Sequence, residues 1–225
     1  MTTPKPAPTP ISGERRAETS ARVVPMPFLA EDDAALVQGL LADNAGAKAA
    51  FFSRYSRDVE RLITHLIGLD RELADILQEV FVQALSSIRT LRDPAKLKPW
   101  LLHIAMNSAR RTLRSRSRRA WLRFFIDAEE EARSALSAPE HDFEGRETLR
   151  AVYQILDRVP ADERIAFALR HIDGMELTEV ANACAVSLAT IKRRIERADQ
   201  RFLRLAKHHP LLAAWVEGST RWQDR

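Results

Sequence analysis

The sequence predicts an all-α protein with two small helical domains joined by a flexible linker. Its 225 residues include only seven glycines, too few for the many tight turns of a large sheet. Alanine, leucine, arginine and glutamate, which favour helix, occur in long runs. Apolar residues within these runs return every three or four positions, which is the spacing of one helical face. The length allows one or two domains, at roughly 100–200 residues per domain.

Composition and motifs argue against several classes of protein. The single cysteine excludes an internal disulfide and a cysteine-cluster zinc site, and it favours a reducing cytoplasm. No apolar run approaches the roughly 20 residues that cross a bilayer, and the N-terminus lacks the apolar region of a secretory signal. The chain has no glycine-rich phosphate loop, HExxH or nucleophile elbow, and His208-His209 has no third metal ligand nearby. We therefore expect a cytoplasmic protein that is not an enzyme, has no cofactor or metal and does not insert into a membrane.

Composition and periodicity divide the chain into five segments. The first is rich in proline and small residues, as disordered tails are, and helical spacing begins near Glu31. Breaks at Asn44–Gly46 and Gly68 separate the first helices, and a clean amphipathic helix is predicted at Asp70–Ile88. An acidic stretch that contains Pro139 indicates a linker. The predicted segments are a tail at 1–28, a first domain at 29–120, the linker at 121–145, a second domain at 146–207 and an extension at 208–225, whose apolar residues predict a short helix that covers the second domain.

The clearest motif is a pair of short helices joined by a tight turn at Glu176–Arg201. Small residues between the helices let them approach closely, and Ser187 suits the N-cap of the second helix. One face of that helix is apolar, with Leu188, Ile191 and Ile195, and the other is polar and basic. Short polar side chains near bases and cations near phosphates suit a helix in the major groove. The candidate duplex contacts are Ser187, Thr190, Lys192, Arg193, Arg194 and Arg197, and the alternative is an ordinary helical hairpin with a solvated basic face.

A second basic segment precedes the linker. Between Ser86 and Arg123 the chain has eleven lysines or arginines against one acid, Asp93. A patch of one sign would repel itself unless it met a polyanion, so nucleic acid is the simplest partner. Aromatic and amide side chains among the cations favour single strands, because bases stack on rings while the backbone follows the charge. For Trp100, a place in the hydrophobic core is an equally good interpretation.

The two halves together resemble a bacterial RNA polymerase sigma factor of the extracytoplasmic-function (ECF) type, which is group 4 of the sigma-70 family. The resemblance is carried by ADILQEVFVQAL at Ala74–Leu85, LKPWLLHIAMNSARRTLR at Leu97–Arg114 and VPADERIAFALRHIDGMELTEVANACAVSLATIKRRIERADQRF at Val159–Phe202. It implies a transcription initiation factor that binds core polymerase, melts the −10 promoter element with its second sigma region and recognises the −35 element with its fourth.

The resemblance also implies roles for matching residues. The polar face of the Asp70–Ile88 helix, which alone could be solvated surface, would dock on the polymerase β′ clamp helices through Asp75, Gln78 and Glu79. The melted −10 strand would contact Lys98, Trp100, His103, Asn107, Arg110, Arg111 and Arg114. The helices at Leu149–Ile172 would touch the β flap. An anti-sigma factor is a further partner that the family allows.

The chain departs from the family pattern at several positions. Leu85 stands where the family often has tryptophan, and Arg193 replaces a frequent serine. Ala189 stands where the family commonly has glycine, at the start of the recognition helix. The main alternative function is a stand-alone helix-turn-helix regulator, which would bind duplex DNA without core polymerase.

Overall fold

A computed structural model describes residues 32–68, 71–126 and 143–218. Within these ranges the chain forms nine α-helices and no strand, which confirms the all-α prediction. The first module has four helices, α1 (Asp33–Leu41), α2 (Ala45–Ile67), α3 (Leu73–Ser87) and α4 (Leu97–Ile126), and the second has five, α5 (Phe143–Leu156), α6 (Ala161–Phe167), α7 (Leu177–Ala183), α8 (Leu188–Ala206) and α9 (Ala213–Gly218). The predicted tail at 1–28 and most of the predicted linker lie outside the described residues.

Local capping explains where the first helices begin and end. The Asp32 side chain accepts a hydrogen bond from the Ala35 N–H (2.7 Å) at the start of α1, and Asn44 caps α2 through the Ala47 N–H (3.0 Å). Both caps satisfy N–H groups that have no partner within the helix. At the other end of α2, Gly68 adopts φ +90°, in the left-handed half of backbone space that favours glycine. The predicted break at Gly68 is confirmed, and the break predicted at Asn44–Gly46 lies slightly earlier, at residues 42–44, because Asn44 caps α2 and Gly46 lies within that helix.

The start of α4 differs from the prediction. Two prolines and several cations at Arg89–Pro99 predict a loop there and a helix from Trp100. The structure shows instead that α4 begins at Leu97. Pro99 lies in the first turn, where its missing N–H would have no acceptor within the helix in any case. The Asp93 side chain accepts a hydrogen bond from the Ala95 N–H (3.1 Å) and caps a 3₁₀ turn that leads into the helix. At its other end α4 continues beyond residue 120, the predicted end of the first domain.

The helix-turn-helix is formed by α7 and α8, as predicted. Ser187 is the N-cap of α8, and its hydroxyl accepts a hydrogen bond from the Thr190 N–H at 3.2 Å. Ile191 and Ile195 are buried on the inner face. Leu188 is 38% exposed, so its predicted inward position is wrong. It is the first residue of α8, and the buried face of this helix begins one turn later, at Ile191.

The C-terminal extension covers the second module, as predicted. Leu212 is fully buried and Val216 is nearly so. Both join a core that contains Ala198, Phe202 and Ala206 of α8. The extension therefore completes the hydrophobic core on one side of the recognition helix.

A larger core runs from the first module into the second without interruption. It includes Ile63 of α2 and Leu101 of α4 together with Ile165 of α6, Val180 of α7 and Ile191 of α8. Helix α4 packs on α6, and α2 packs on the π-helical turn that follows α6. The two modules are thus in direct contact, and α4 lies beside the helix-turn-helix.

Candidate nucleic-acid interface

One face of α8 is available to a ligand. Lys192, Arg193 and Arg197 are exposed, opposite the buried Ile191 and Ile195. The apolar face fixes the helix on the module, so the three cations project from a rigid support. Cations held in this way can follow a phosphate backbone at little cost in conformational entropy.

The other three predicted duplex contacts are held by neighbours. The hydroxyls of Ser187 and Thr190 are 2.9 Å apart at the start of α8, so the two side chains hold each other in an ordered turn. The half-buried Arg194 places its Nη2 atom 3.6 Å from the carboxylate of Asp162 on α6. The predicted set therefore consists of three exposed cations, an ordered N-terminal turn and one arginine that contacts an acid.

The turn before α8 is a Schellman motif. The Val186 N–H donates to the carbonyl of Ala181 and the Ala185 N–H donates to that of Asn182, both at 3.1 Å. Ala185 adopts φ +54°, the left-handed conformation that glycine usually occupies at this position. Ala189, where the family commonly has glycine, lies in the first turn of α8. The unusual backbone conformation is thus before the recognition helix rather than within it.

Several predicted single-strand contacts follow one face of α4. His103, Asn107, Arg110 and Arg114 are spaced by four, three and four residues, which aligns them along the helix. Asn107 accepts a hydrogen bond from Arg110 Nη1 at 2.9 Å. Arg110 and Arg114 both contact the Asp162 carboxylate, at 3.1 and 2.9 Å. This face of α4 is therefore turned towards the second module.

The remaining predicted contacts of α4 have partners in the first module. Lys98 Nζ lies 2.7 Å from the carboxylate of Asp58. Arg111 donates to Glu79 Oε1 at 2.8 Å. Trp100 is half-buried and packs against the larger core. Its position suits a core tryptophan, although part of the ring still reaches the surface.

The basic segment does not form a surface of one sign in the folded chain. The count of eleven cations against one acid includes only neighbours in the sequence, whereas the fold brings acids from α2, α3 and α6 to α4. Arg116, for example, lies 2.9 Å from the carboxylate of Glu72. The predicted self-repulsion is therefore wrong, because these acids offset much of the charge.

The polar face of α3 is exposed, in agreement with its amphipathic pattern. Asp75, Gln78 and Glu79 lie on the surface, while Ile76 and Val80 are buried. One turn of helix thus presents two carboxylates and an amide to a partner. The docking role of this face stays a prediction.

A cavity of about 680 Å³ separates parts of the two modules. Leu102 and Met106 of α4 form one wall, Leu169 and Met175 form another, and the predicted contact His103 also lines it. The lining is largely apolar because both modules contribute core side chains. No local pattern in the sequence indicates this cavity, since its walls come from distant parts of the chain.

Within the described ranges, no helix is long and apolar enough to cross a membrane. Helix α4 has 30 residues but is rich in arginine. No group of three histidine, cysteine or acidic side chains in the same ranges is arranged to hold a metal ion.

Comparison with known proteins identifies both modules. The family model for sigma-70 region 2 matches residues 51–119, and the model for sigma-70 region 4 matches residues 149–201. The chain is 27% identical over 172 residues to the ECF RNA polymerase sigma-E factor of Haemophilus influenzae, an alignment that covers 74% of this chain and 90% of the relative. The protein of the same description in Escherichia coli K12 gives the same values. The chain belongs to the ECF sigma factors.

The fold of this sigma factor is also similar to a solved structure, that of CnrH in complex with the cytosolic domain of CnrY. The two chains are 21% identical with a TM-score of 0.50, and the likeness covers 83% of this chain and 99% of CnrH. At this identity the similarity concerns the fold alone. The match to region 2 contains α3 and most of α4, and the match to region 4 contains α6, α7 and most of α8.

Proposed function

We propose that this sigma factor directs core RNA polymerase to promoters in the cytoplasm. It acts by binding, without catalysing a reaction, and it uses one module for each promoter element. One observation carries the proposal: each family-matched region presents an exposed polar face of the required chemistry. In the first module this is the carboxylate face of α3, and in the second it is the cationic face of α8. A stand-alone regulator would use only the second face.

Helix α8 is the proposed reader of the −35 duplex. Its N-terminal turn carries the short side chains of Ser187 and Thr190, which suit close approach to base edges. Further along the helix, the exposed Lys192, Arg193 and Arg197 suit phosphate contacts. The base contacts would supply the sequence preference, and the phosphate contacts would supply most of the salt dependence.

Helix α3 is the proposed docking element for the polymerase β′ subunit. Asp75, Gln78 and Glu79 lie on the exposed side of one helical segment, so a flat partner surface can reach all three. Charged groups at such a surface give specificity and a faster association rate more than raw affinity. Reversal of the two carboxylates should therefore repel a basic partner surface that the native residues attract.

Helix α4 is the proposed site for the melted −10 strand. His103, Asn107, Arg110 and Arg114 share one face, where a single strand could run along the helix. A protein that binds unpaired bases and not paired ones shifts the equilibrium towards the open duplex. Melting would then be driven by binding, without hydrolysis of a nucleotide.

The docking assignment can be tested with the double variant Asp75→Lys/Glu79→Lys. We expect it to fail to co-purify with core polymerase and to lose run-off transcription, while its circular dichroism stays helical. Glu60→Lys is the control, because it reverses an exposed charge on α2 rather than on α3. Wild-type co-purification and transcription by the double variant would contradict the docking role.

A separate experiment distinguishes a sigma factor from a stand-alone regulator. A sigma factor should bind promoter DNA well only with core polymerase, because each module alone makes few contacts. Promoter binding should therefore be compared in the presence and absence of purified core enzyme. Equal affinity under both conditions would favour the regulator.

A further inference from the structure

One carboxylate lies on the exposed, cationic face of α8. The side chain of Glu196 is exposed, and it follows Lys192 by four residues and Arg193 by three. At about 100° per residue, Glu196 lies about 40° around the helix from Lys192 and about 60° from Arg193. The buried Ile191 lies about 140° away. Glu196 therefore belongs to the surface that this helix would present to DNA.

The acids on the other sides of α8 have partners, and Glu196 does not. Glu163 of α6 lies 3.0 Å from Arg201, and Asp199 of α8 lies 2.8 Å from His171. Glu196 forms no hydrogen bond and no ion pair within 4 Å with any residue in the described ranges. A lysine four residues before a glutamate is the less favourable order for an ion pair on a helix. The carboxylate is thus free to accept hydrogen bonds from a ligand.

The chemistry of a carboxylate decides which part of DNA it can contact. An ionised carboxylate only accepts hydrogen bonds, so it is repelled by phosphate oxygens. In the major groove, guanine and thymine present acceptors, and adenine presents a donor beside an acceptor. Cytosine alone presents a donor, its N4 amine, without an acceptor on its own edge. A glutamate on a recognition helix therefore fits a cytosine better than any other base.

The position of Glu196 along α8 suits contact with a base edge. Ala189, Arg193 and Glu196 are separated by four and three residues, which keeps them on one face of the helix. Recognition helices contact neighbouring bases through side chains with such spacing. Glu196 lies about 9 Å along the helix axis from Thr190, at about 1.5 Å per residue. Because successive bases are about 3.4 Å apart along the duplex, these two side chains would reach bases within about three positions of each other.

We propose that Glu196 is a specificity-determining residue of the −35 reader, whose carboxylate accepts a hydrogen bond from the N4 amine of a cytosine in the major groove. The flanking cations hold the phosphates while Glu196 selects the base. A carboxylate placed among phosphates disfavours every sequence that lacks the matching donor, so it discriminates by repulsion as well as by attraction. This inference rests on the proposed function of α8.

The test uses the full chain bound to purified core polymerase and a library of DNA duplexes that contain a randomised segment. The wild-type complex should enrich sequences with a cytosine at one position of the upstream element. Replacement of that cytosine in a single selected duplex should weaken binding by about fivefold to one hundredfold, the usual range for one mismatched base pair. Thr190→Ala should alter the preference at a base within about three positions of the cytosine.

Two substitutions at Glu196 separate base recognition from a general effect of charge. Glu196→Ala should bind duplexes with any of the four bases at that position about equally. Glu196→Gln should instead prefer adenine, because an amide can accept from N6 and donate to N7. The control is Glu147→Gln, which removes an exposed carboxylate from α5 rather than from α8. It should keep the preference of the wild type for cytosine.

Two outcomes would overturn the proposal. One is that both Glu196 variants keep the wild-type preference at every position of the selected sequence. The other is that Glu196→Ala changes affinity by the same factor for all sequences, which would mean that the carboxylate acts only through its charge on the phosphates. A wild-type complex that selects no sequence at all would count against the proposed function, and the role of Glu196 would fail with it. A selected sequence that both variants retain would refute the role of Glu196 alone.

Discussion

Replacement of Ala185 by glycine should stabilise the protein. Ala185 follows the C-cap of α7 at φ +54°, and its side chain is exposed, so glycine would lose no packing. A residue with a Cβ atom is destabilised by roughly 1–2 kcal/mol in this conformation. Glycine loses about 0.4–1 kcal/mol more in backbone entropy on folding. The balance is a gain of about 0.5–1 kcal/mol, which should raise Tm by about 1–4 °C for a protein of this size.

Thermal unfolding followed by circular dichroism measures this gain, and Ala189→Gly provides the matched control. Ala189 is also exposed, but it lies in the first turn of α8 without a positive φ, so glycine relieves no strain there and costs up to about 1 kcal/mol in backbone entropy. The two variants should therefore shift Tm in opposite directions. If Ala185→Gly lowers Tm as much as Ala189→Gly does, the left-handed turn is not strained and the reasoning is refuted.

Two further predictions concern the second module. Alanine at both Arg193 and Arg197 should weaken promoter binding and reduce the slope of log affinity against log salt by about 0.9 for each phosphate that is no longer neutralised. The control is Arg204→Ala, in the last turn of α8, which should leave the slope unchanged. An unaltered slope in the double variant would exclude phosphate binding by these two arginines. Leu212→Ala should lower the free energy of unfolding by about 2–5 kcal/mol, because this side chain is fully buried. Its exposed neighbour Leu211 is the control, with an expected change within about 0.5 kcal/mol, and equal urea midpoints for the two variants would show that the extension does not stabilise the core.

Features set by nearby residues could be predicted from the sequence. Ser187 was recognisable as an N-cap because capping depends on a side chain and a backbone N–H only three residues apart. Gly68 was recognisable as a helix end for a similarly local reason. The buried Ile191 and Ile195 follow from helical spacing alone. The matched family regions share this local character, since their motifs lie on single helices or adjacent pairs.

Features that depend on distant contacts could not be predicted in this way. Nothing near Asp162 in the sequence indicates that three arginines from α4 and α8 surround it. In the same way, the sequence around the acids of α2 and α3 does not show that they contact the basic residues of α4. Ala185 and Ala189 show a subtler limit. The resemblance directed attention to the missing glycine at Ala189, whereas the positive φ lies at Ala185 and follows from the geometry of the turn.

The contact made by Arg164 specifies how the two modules pack without adding much to stability. Its guanidinium is buried against two carbonyls of α2 and also pairs with Asp157 in its own module. Burial disfavours the charged form and lowers the pKa of Arg164, so the hydrogen bonds largely offset a desolvation cost. When the modules separate, water replaces the carbonyls and the same desolvation cost is recovered. A purely apolar contact of equal area would return no such energy, because its separation only exposes surface to water. The polar contact thus selects one arrangement of the modules more than it stabilises that arrangement.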